Sequence, residues 1–435
     1  MIYMRNNFLL FVIALYLILN YGFMQVRIPP VDGGGIPIGE FVLIISLLTV
    51  KYSTLLPRLS SIVFIVPFLL WWLYGLTYSL LSIPEYGMWA LRDASQVIES
   101  LFILVGFAVV SRPFMWDKVF TWLAYILIVV CTYSLGYPYL HILQEYSPKV
   151  GSGAGADVAI FFNYTNTPTM LLMAASYLFV FYSDNNKSRL YFLLAVTLIA
   201  YAILSFQSRT VYLQVIGLFF LFMIYRRRLL GKGVLGLMLI VVLLMIMPLI
   251  GIQFSGRLNQ EVSLEFIFNH FAAIGGVESE GLEGAASGVG QRIGWWLNLY
   301  DRWLENGKTF LFGLGYGFPL IDFGIAHGIA VREPHNSYIS ILARGGLFGA
   351  VLWVWMHLQL IKVWRLSYLS SKRSHNRESQ NRLLILMVYF VLVWIFAIGE
   401  DAFEKPFIAI PYYFFWGIIL RFYYNSKKQV FKYRR

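Results

Sequence analysis

The chain has little charge for its length and almost no cysteine. Of its 435 residues, 13% are Asp, Glu, Lys or Arg, whereas a soluble globular domain carries about 25%. Hydrophobic residues make up 59% of the chain. This composition excludes an ordinary soluble domain and predicts a polytopic membrane protein. Cys131, the single cysteine, lies within an apolar segment, which excludes an intrachain disulfide and a thiol-based metal site.

Apolar segments long enough to form membrane-spanning helices recur along the chain. Such a helix needs roughly 20 mostly apolar residues, and the sequence predicts about twelve of them. Their approximate bounds are 6–23, 37–50, 60–81, 96–110, 119–137, 165–182, 190–206, 208–225, 233–252, 337–361, 382–399 and 406–424. The first segment lacks a small-residue cleavage site and therefore predicts a membrane anchor rather than a cleaved signal peptide.

The positive charge of the chain is distributed unevenly around these segments. With the amino terminus inside, the inner loops and tails hold 23 of the 34 Lys and Arg residues, including Arg226, Arg227 and Arg228. Short inner loops of membrane proteins are enriched in Lys and Arg. Orientation in a membrane therefore explains the net charge of +12, and we expect no nucleic-acid partner.

The longest connection, 253–336, lies on the predicted outer side and is too long for a plain connector. It divides the chain into an N-terminal bundle (1–252), the outer loop, and a C-terminal region (337–435) of spans and cytoplasmic tail. An amphipathic helix that could lie along the membrane surface is predicted within the loop, from the helical spacing of Ile293, Trp296, Leu297, Tyr300, Trp303 and Leu304. A second amphipathic piece is predicted over 262–274.

Arginine is more frequent than lysine among the predicted outer basic residues. Its planar fork of donors binds phosphate oxygens bidentately, which lysine cannot do. Arg209 follows a tight turn and begins a span, and Arg257, Arg292 and Arg332 lie in the outer loop. These residues form a candidate anion site. The alternatives are a snorkelling Arg209 that binds lipid headgroups and loop arginines paired with nearby acids.

His335 is the candidate general base, because imidazole titrates near neutral pH and can accept a proton from a sugar hydroxyl. Glu333 is a candidate for orienting its ring. Asn336 is predicted to cap the helix that begins at Ser337. The alternative is that Pro334 and its neighbours only shape the start of this helix.

The final outer turn contains Glu400, Asp401, Glu404 and Lys405. These residues form either a solvated turn or a site in which Asp401 pairs with an arginine. Gly313, Gly315 and Gly317 match neither a P-loop nor a dinucleotide fingerprint, so close backbone packing is their expected role. No His, Asp or Glu spacing typical of metal ligands is present, and we expect neither metal nor cofactor.

These features resemble the O-antigen ligase and O-antigen polymerase superfamily of bacterial membrane glycosyltransferases. The resemblance rests on the multi-span topology with one dominant outer loop and on a set of local motifs. It is strongest over about 200–362. The motifs are Ser208-Arg209, Arg292, the glycine turn 313–317, the stretch 334–338 and the glycines of 345–349.

The resemblance implies an all-α, GT-C-like membrane enzyme in the bacterial inner membrane, with both termini cytoplasmic and the active site periplasmic. In such enzymes the donor is a glycan on undecaprenyl pyrophosphate, and the reaction inverts the anomeric centre without a metal. His335 matches the catalytic histidine that activates the acceptor hydroxyl. Arg209 and Arg292 match the arginines that hold the pyrophosphate. Arg257 and Arg332 match no family motif, and their supporting role, like that of Glu333, Asn336 and Asp401, is expected from charge and position.

Two members of this superfamily share the chemistry and differ in the acceptor. A polymerase extends another lipid-linked repeat unit, whereas a ligase transfers the glycan to lipid A–core. The motif context favours polymerisation of O-antigen or exopolysaccharide units, with ligation as the alternative and transport of a lipid-linked oligosaccharide as a distant third. Expected partners are the lipid-linked donor, the acceptor glycan and membrane lipids. A chain-length regulator and a flippase are further candidate partners.

Overall fold

The structure, a computed structural model, is almost entirely α-helical. It describes residues 2–28, 36–49, 55, 58–59, 62–110, 113–151, 157–182, 188–249, 264–272, 283–321, 325–326, 329–330 and 332–432. Arg257, one of the predicted supporting arginines, lies outside the described residues.

The helices follow the order of the predicted segments. Their bounds are α1 (Ile2–Met24), α2 (Ile38–Leu48), α3 (Ile65–Tyr86), α4 (Met88–Asp93), α5 (Ser95–Glu99), α6 (Phe102–Val109), α7 (Pro113–Ser134), α8 (Leu140–Glu145), α9 (Thr167–Tyr182), α10 (Ser188–Phe206), α11 (Arg209–Tyr225), α12 (Arg227–Leu249), α13 (Leu264–Ala272), α14 (Glu283–Leu304), α15 (Gly307–Phe312), α16 (Ser337–Arg373), α17 (Arg377–Gly399) and α18 (Pro406–Lys432). A 3₁₀ turn covers Tyr137–Tyr139.

The strands are short antiparallel pairs in the connecting loops. They are β1 (Arg27–Ile28) with β2 (Ile36–Pro37), β3 (Lys149–Gly151) with β4 (Asp157–Ala159), and β5 (Ile325–Ala326) with β6 (Ile329–Ala330).

Within these described ranges, seven helices are long and apolar enough to cross a membrane. They are Asn6–Met24, Ile65–Tyr86, Phe114–Ser134, Ser188–Phe206, Ser337–Arg373, Arg377–Gly399 and Pro406–Lys427. Shorter apolar helices cover Ile38–Leu48, Ser95–Val109, Thr167–Tyr182 and Arg209–Tyr225, and α12 overlaps the segment predicted at 233–252. Every predicted segment overlaps a helix, and the expected all-α polytopic architecture is confirmed.

The centre of the bundle is α18, which crosses α6 at two glycines. A Cβ atom added at Gly106 would lie 2.1 Å from the Phe414 carbonyl oxygen, and one added at Gly417 would lie 2.1 Å from the Ile103 carbonyl oxygen. Small residues at such positions allow the backbones of membrane helices to approach closely. The crossing therefore leaves no room for a side chain at either glycine.

Helix α16 is broken at Gly346, where φ is 62° and ψ is −168°. Glycine adopts this left-handed backbone at little cost, and an added Cβ would lie 2.4 Å from the Gly313 nitrogen. The break exposes carbonyls of α16 to the glycine turn, and Leu314 N donates to Ala343 O at 2.7 Å. The packing role predicted for the glycines of 313–317 is thus confirmed.

The amphipathic helix predicted in the outer loop forms as α14, which begins upstream at Glu283. Leu299 of α14 is buried with Leu320 and with Ala343 of α16. This contact packs α14 against the start of α16. The second predicted piece, 262–274, forms α13. Part of the predicted apolar face of α14 stays exposed and is available to a membrane surface, namely Ile293, Leu297, Tyr300 and Leu304.

We expect Gly417→Ala to destabilise the bundle, because its methyl group would overlap the backbone of α6. Overpacking of this kind costs about 1–3 kcal/mol. The matched control is Gly231→Ala in α12, where an added Cβ meets nothing within 4 Å, so better helix propensity should leave stability unchanged or slightly higher. Thermal unfolding of the detergent-solubilised variants, followed by circular dichroism, measures the difference. Equal melting temperatures for the two variants would contradict the tight crossing.

Candidate active site

His335 lies directly before α16, in a turn whose geometry is set by its neighbours. The Asn336 side chain accepts hydrogen bonds from Tyr338 N at 3.0 Å and Ile339 N at 3.2 Å, so the predicted N-cap is confirmed. His335 itself has a φ of 52°, in the left-handed region that non-glycine residues adopt only a few per cent of the time. The cap and this turn together aim the imidazole away from the axis of α16.

Two carboxylates of the loop between α17 and α18 lie beside the imidazole. His335 Nδ1 lies 3.4 Å from Glu400 Oε2 and 3.3 Å from Asp401 Oδ2. The imidazole is 28% exposed, whereas the Asp401 side chain is only 5% exposed. The sequence left Asp401 between a solvated turn and a partner for an arginine, and the structure instead buries it beside the histidine.

Arg292 reaches the same loop from α14. Its Nη1 donates to the Gly399 carbonyl oxygen at 2.9 Å, and its Nη2 lies 3.8 Å from Glu400 Oε1. One helical turn further along α14, Trp296 Nε1 donates to the Pro334 carbonyl oxygen at 2.9 Å. Helix α14 therefore contacts both sides of the site, the turn that carries the histidine and the loop that carries the acids.

Arg209 begins α11 at the same end of the bundle. It lies close enough to Arg292 for the two guanidinium groups to repel each other. Its neighbour Thr210 also lies beside this loop, since a Cβ added at Gly399 would be 3.4 Å from Thr210 Oγ1 and 3.9 Å from Arg292 Nη1. The structure thus brings together Arg209, Arg292 and His335, which are far apart in sequence.

The charge of Glu400 depends on the basic groups around it. Burial alone raises its pKa, but the charge of Lys405, the contact with His335 and the charge of Arg292 lower it to about 2. Glu400 is therefore ionised at neutral pH. Because its pKa is lowered on folding, its contribution to stability is present above the ordinary carboxyl pKa and is lost as the pH falls towards 2.

Glu404, in the same loop, is in the opposite state. Burial, reinforced by the charge of Asp401, raises its pKa to about 8, so its carboxyl is protonated near neutral pH. Ser337 Oγ contacts this carboxyl and accepts a hydrogen bond from Phe403 N at 3.1 Å. A neutral Glu404 limits the repulsion among the clustered acids and ties their loop to the first residue of α16.

A buried ion-pair network fastens the chain on both sides of His335. Arg344 contacts the Glu333 carboxylate and lies 3.1 Å from Asp93 Oδ2, and Arg332 lies 3.3 Å from the same oxygen. Asp93 ends α4, so the network joins α4, α16 and the turn before α16. It fixes where that turn sits on the bundle.

Glu333 and Arg332 were predicted to support the pocket. Both instead belong to this ion-pair network. The Glu333 carboxylate accepts from Arg344 and, at 3.2 Å, from Ser340 Oγ, and burial raises its pKa to about 7 against the lowering effect of Arg344. The expected orienting contact with the imidazole is thus made by Glu400 and not by Glu333. Arg332 packs 4.0 Å from the centre of the Trp89 ring and holds the loop instead of facing an anion site.

Sequence patterns indicate the other residues of the site only in part. Glu400 lies in the acidic final turn, but no sequence feature distinguishes its role from that of Asp401. Trp296 was expected at the membrane surface, whereas its indole nitrogen binds the histidine turn. Asp93 lies between Glu85 and Glu99 in the sequence, and no sequence pattern distinguishes it as the partner of Arg332 and Arg344.

The arrangement places one titratable base beside two cationic side chains and an ionised acid. It can deprotonate a hydroxyl and bind an anion at adjacent positions. Across the described residues, no group of three or more His, Cys, Asp and Glu side chains has the geometry of a metal site.

Comparison with known proteins agrees with this geometry. The family model described as O-antigen ligase matches residues 193–354, whereas no curated protein matches the chain. The matched region contains Arg209, Arg292 and His335, while Glu400 lies beyond its end. The resemblance to the O-antigen ligase and polymerase superfamily is confirmed. The chain is thus a polytopic helical membrane protein whose residues 193–354 are similar to the O-antigen ligase family.

Proposed function

We propose that the protein is an inner-membrane glycosyltransferase that moves a glycan from undecaprenyl pyrophosphate to an acceptor hydroxyl at the periplasmic face. The observation that supports this most directly is the convergence of His335, Arg292 and Arg209 around the Glu400 loop. The family match over 193–354 supports the reaction class.

The imidazole is oriented for general-base catalysis. With Nδ1 facing Glu400 and Asp401, the favoured neutral tautomer carries its proton on Nδ1, because both carboxylates accept hydrogen bonds. Nε2 then keeps its lone pair and is the nitrogen that accepts a proton. The carboxylates also stabilise the imidazolium that forms, as the acid does in a catalytic triad.

The two arginines supply the anion site. Arg209 and Arg292 repel each other, and a diphosphate bound between them would replace that repulsion with attraction to both. Preorganised cations at the place where negative charge develops lower the barrier of a reaction. Arg292 is fixed by Gly399 and Glu400, so its position does not depend on the donor.

The reaction can be written from these positions. The acceptor hydroxyl gives its proton to Nε2 of His335, and its oxygen forms a bond to the anomeric carbon of the donor sugar. The bond from that carbon to the pyrophosphate oxygen breaks, and its electron pair leaves with the pyrophosphate held by Arg209 and Arg292. Attack opposite to the leaving group inverts the anomeric centre. No step requires a redox partner.

The acceptor assigned here is a second lipid-linked repeat unit, which makes the protein an O-antigen or exopolysaccharide polymerase. Purified protein incubated with undecaprenyl-pyrophosphate repeat units should form a ladder of lengthened glycans without further addition. A product that appears only when lipid A–core is added would show a ligase instead. If neither mixture yields a new glycosidic bond, glycan transfer is the wrong function and transport becomes the alternative.

We expect His335→Ala to abolish glycan transfer while binding of undecaprenyl pyrophosphate is retained. Loss of a general base typically costs about 10²–10⁴-fold in rate. The matched control is His375→Ala, since His375 also has a positive φ of 54° but lies exposed at the end of α16. Product formation over time and donor binding should be measured on all three proteins. A His335→Ala enzyme with wild-type turnover excludes this imidazole as the base.

We expect Glu400→Gln to lower kcat of glycan transfer by roughly 10–100-fold, because the neutral amide no longer stabilises the imidazolium that forms on proton transfer. A hydrogen bond to a charged group contributes about 1.5–3 kcal/mol. Glu305→Gln changes an exposed acid directly after α14 and should leave kcat unchanged. Wild-type turnover in the purified Glu400→Gln enzyme would show that this carboxylate does not act on the base.

A further inference from the structure

An apolar groove lies between α9, α10, α11 and α12, at the end of the bundle away from His335. The groove is open on one side and is accessible from outside the bundle. Apart from Ser176, the side chains that line it are apolar or glycine. They include Phe179, Ile199, Phe222, Leu229, Gly233 and Leu237.

The position of the groove follows from the directions of α11 and α12. Helix α11 starts at Arg209, and the groove is lined by its second half, up to Phe222. At 1.5 Å per residue, Phe222 is about 20 Å along the helix axis from Arg209. Helix α12 returns from that far end and lines the groove with its first half. The groove therefore belongs to the leaflet opposite to the candidate active site.

Two exposed arginines directly precede the first residue of α12 that lines the groove. Arg227 and Arg228 occupy the first turn of α12 and are exposed, and Leu229 follows directly as a lining residue. The first turn of α12 contains no acidic residue, and a helix amino terminus carries a partial positive charge of its own. The apolar lining thus ends next to positively charged groups that favour binding of an anion at the membrane surface.

We propose that this groove binds an anionic phospholipid, with an acyl chain between α10, α11 and α12 and the phosphate at Arg227 and Arg228. An acyl chain matches the apolar lining, and the charge complementarity selects an anionic headgroup over a zwitterionic one. Such lipids are concentrated in the cytoplasmic leaflet, where nearby Lys and Arg residues add to binding. This inference rests on the proposed function for the orientation of the chain and for the place of the donor diphosphate.

The tail of a polyprenyl donor fits the same lining less well. Its diphosphate would be held by Arg209 and Arg292 at the opposite end of α11, so Arg227 and Arg228 would contribute nothing to its binding. A phospholipid uses both the apolar space and the basic residues next to it.

Two glycines of α12 give a matched test. A Cβ added at Gly233, which lines the groove, or at Gly231, which does not, meets nothing within 4 Å. Gly233→Phe therefore fills the groove from a position that accepts a side chain, and Gly231→Phe adds the same ring outside it. Arg227→Gln with Arg228→Gln removes the charge and leaves the groove intact.

Binding of phosphatidylglycerol and phosphatidylcholine with identical acyl chains should be measured by native mass spectrometry on the full-length, delipidated protein. We expect wild type and Gly231→Phe to bind phosphatidylglycerol more tightly than phosphatidylcholine, and Gly233→Phe to lose this binding. The double Gln variant should bind phosphatidylglycerol about 30-fold more weakly, because each basic residue near an anionic headgroup contributes about fivefold.

Three outcomes overturn the proposal. The first is equal affinity of wild type for the two phospholipids, and the second is unchanged phosphatidylglycerol binding in Gly233→Phe. The third is displacement of phosphatidylglycerol by undecaprenyl phosphate with no effect of the double Gln variant, which would assign the groove to a polyprenyl tail. Size-exclusion profiles of every variant distinguish loss of binding from loss of fold.

Discussion

The position of His335 depends on one buried arginine. Arg344 is 3% exposed and is surrounded by the carboxylates of Glu333 and Asp93 and by carbonyl oxygens of the glycine turn. A buried charge is costly unless it is paired and hydrogen-bonded, and removing one partner leaves the others uncompensated. The network therefore specifies a single arrangement of α4, α16 and the turn before α16. Because the network fixes this turn, the imidazole keeps one orientation relative to the bundle.

The pocket itself is organised around Glu400. This carboxylate contacts Arg292 through one oxygen and His335 through the other, so the anion site and the base share a common support. Glu400 follows α17, beyond the matched region of 193–354. The residues that carry the family signature thus need the last two helices of the chain to hold them in place.

The helices were predictable because hydropathy alone determines which segments can enter a bilayer. Asn336 was predictable as an N-cap because capping is a local property, decided within three residues. The grouping of Arg209, Arg292 and His335 came from the family resemblance and from their common placement on the outer side. Neither source says how the side chains pair.

The sequence does not predict how these side chains pair where the partners are distant in sequence. Glu333 and His335 are close along the chain, yet Glu333 is directed towards Arg344 and the ring towards Glu400. A sequence pattern cannot choose between Glu400 and Asp401, because that choice depends on how the loop after α17 meets α14. The sequence left Arg332 either in an anion site or paired with a nearby acid, and only the position of α4 reveals Asp93 as its partner.

Helix α14 has a mechanical consequence for the pocket. Arg292 and Trp296 lie one turn apart on the same face, and one holds the acidic loop while the other holds the histidine turn. If α14 shifts as a rigid body, both contacts break together. The proposed diphosphate site and the proposed base would then form or separate together, so the lateral position of α14 would control both.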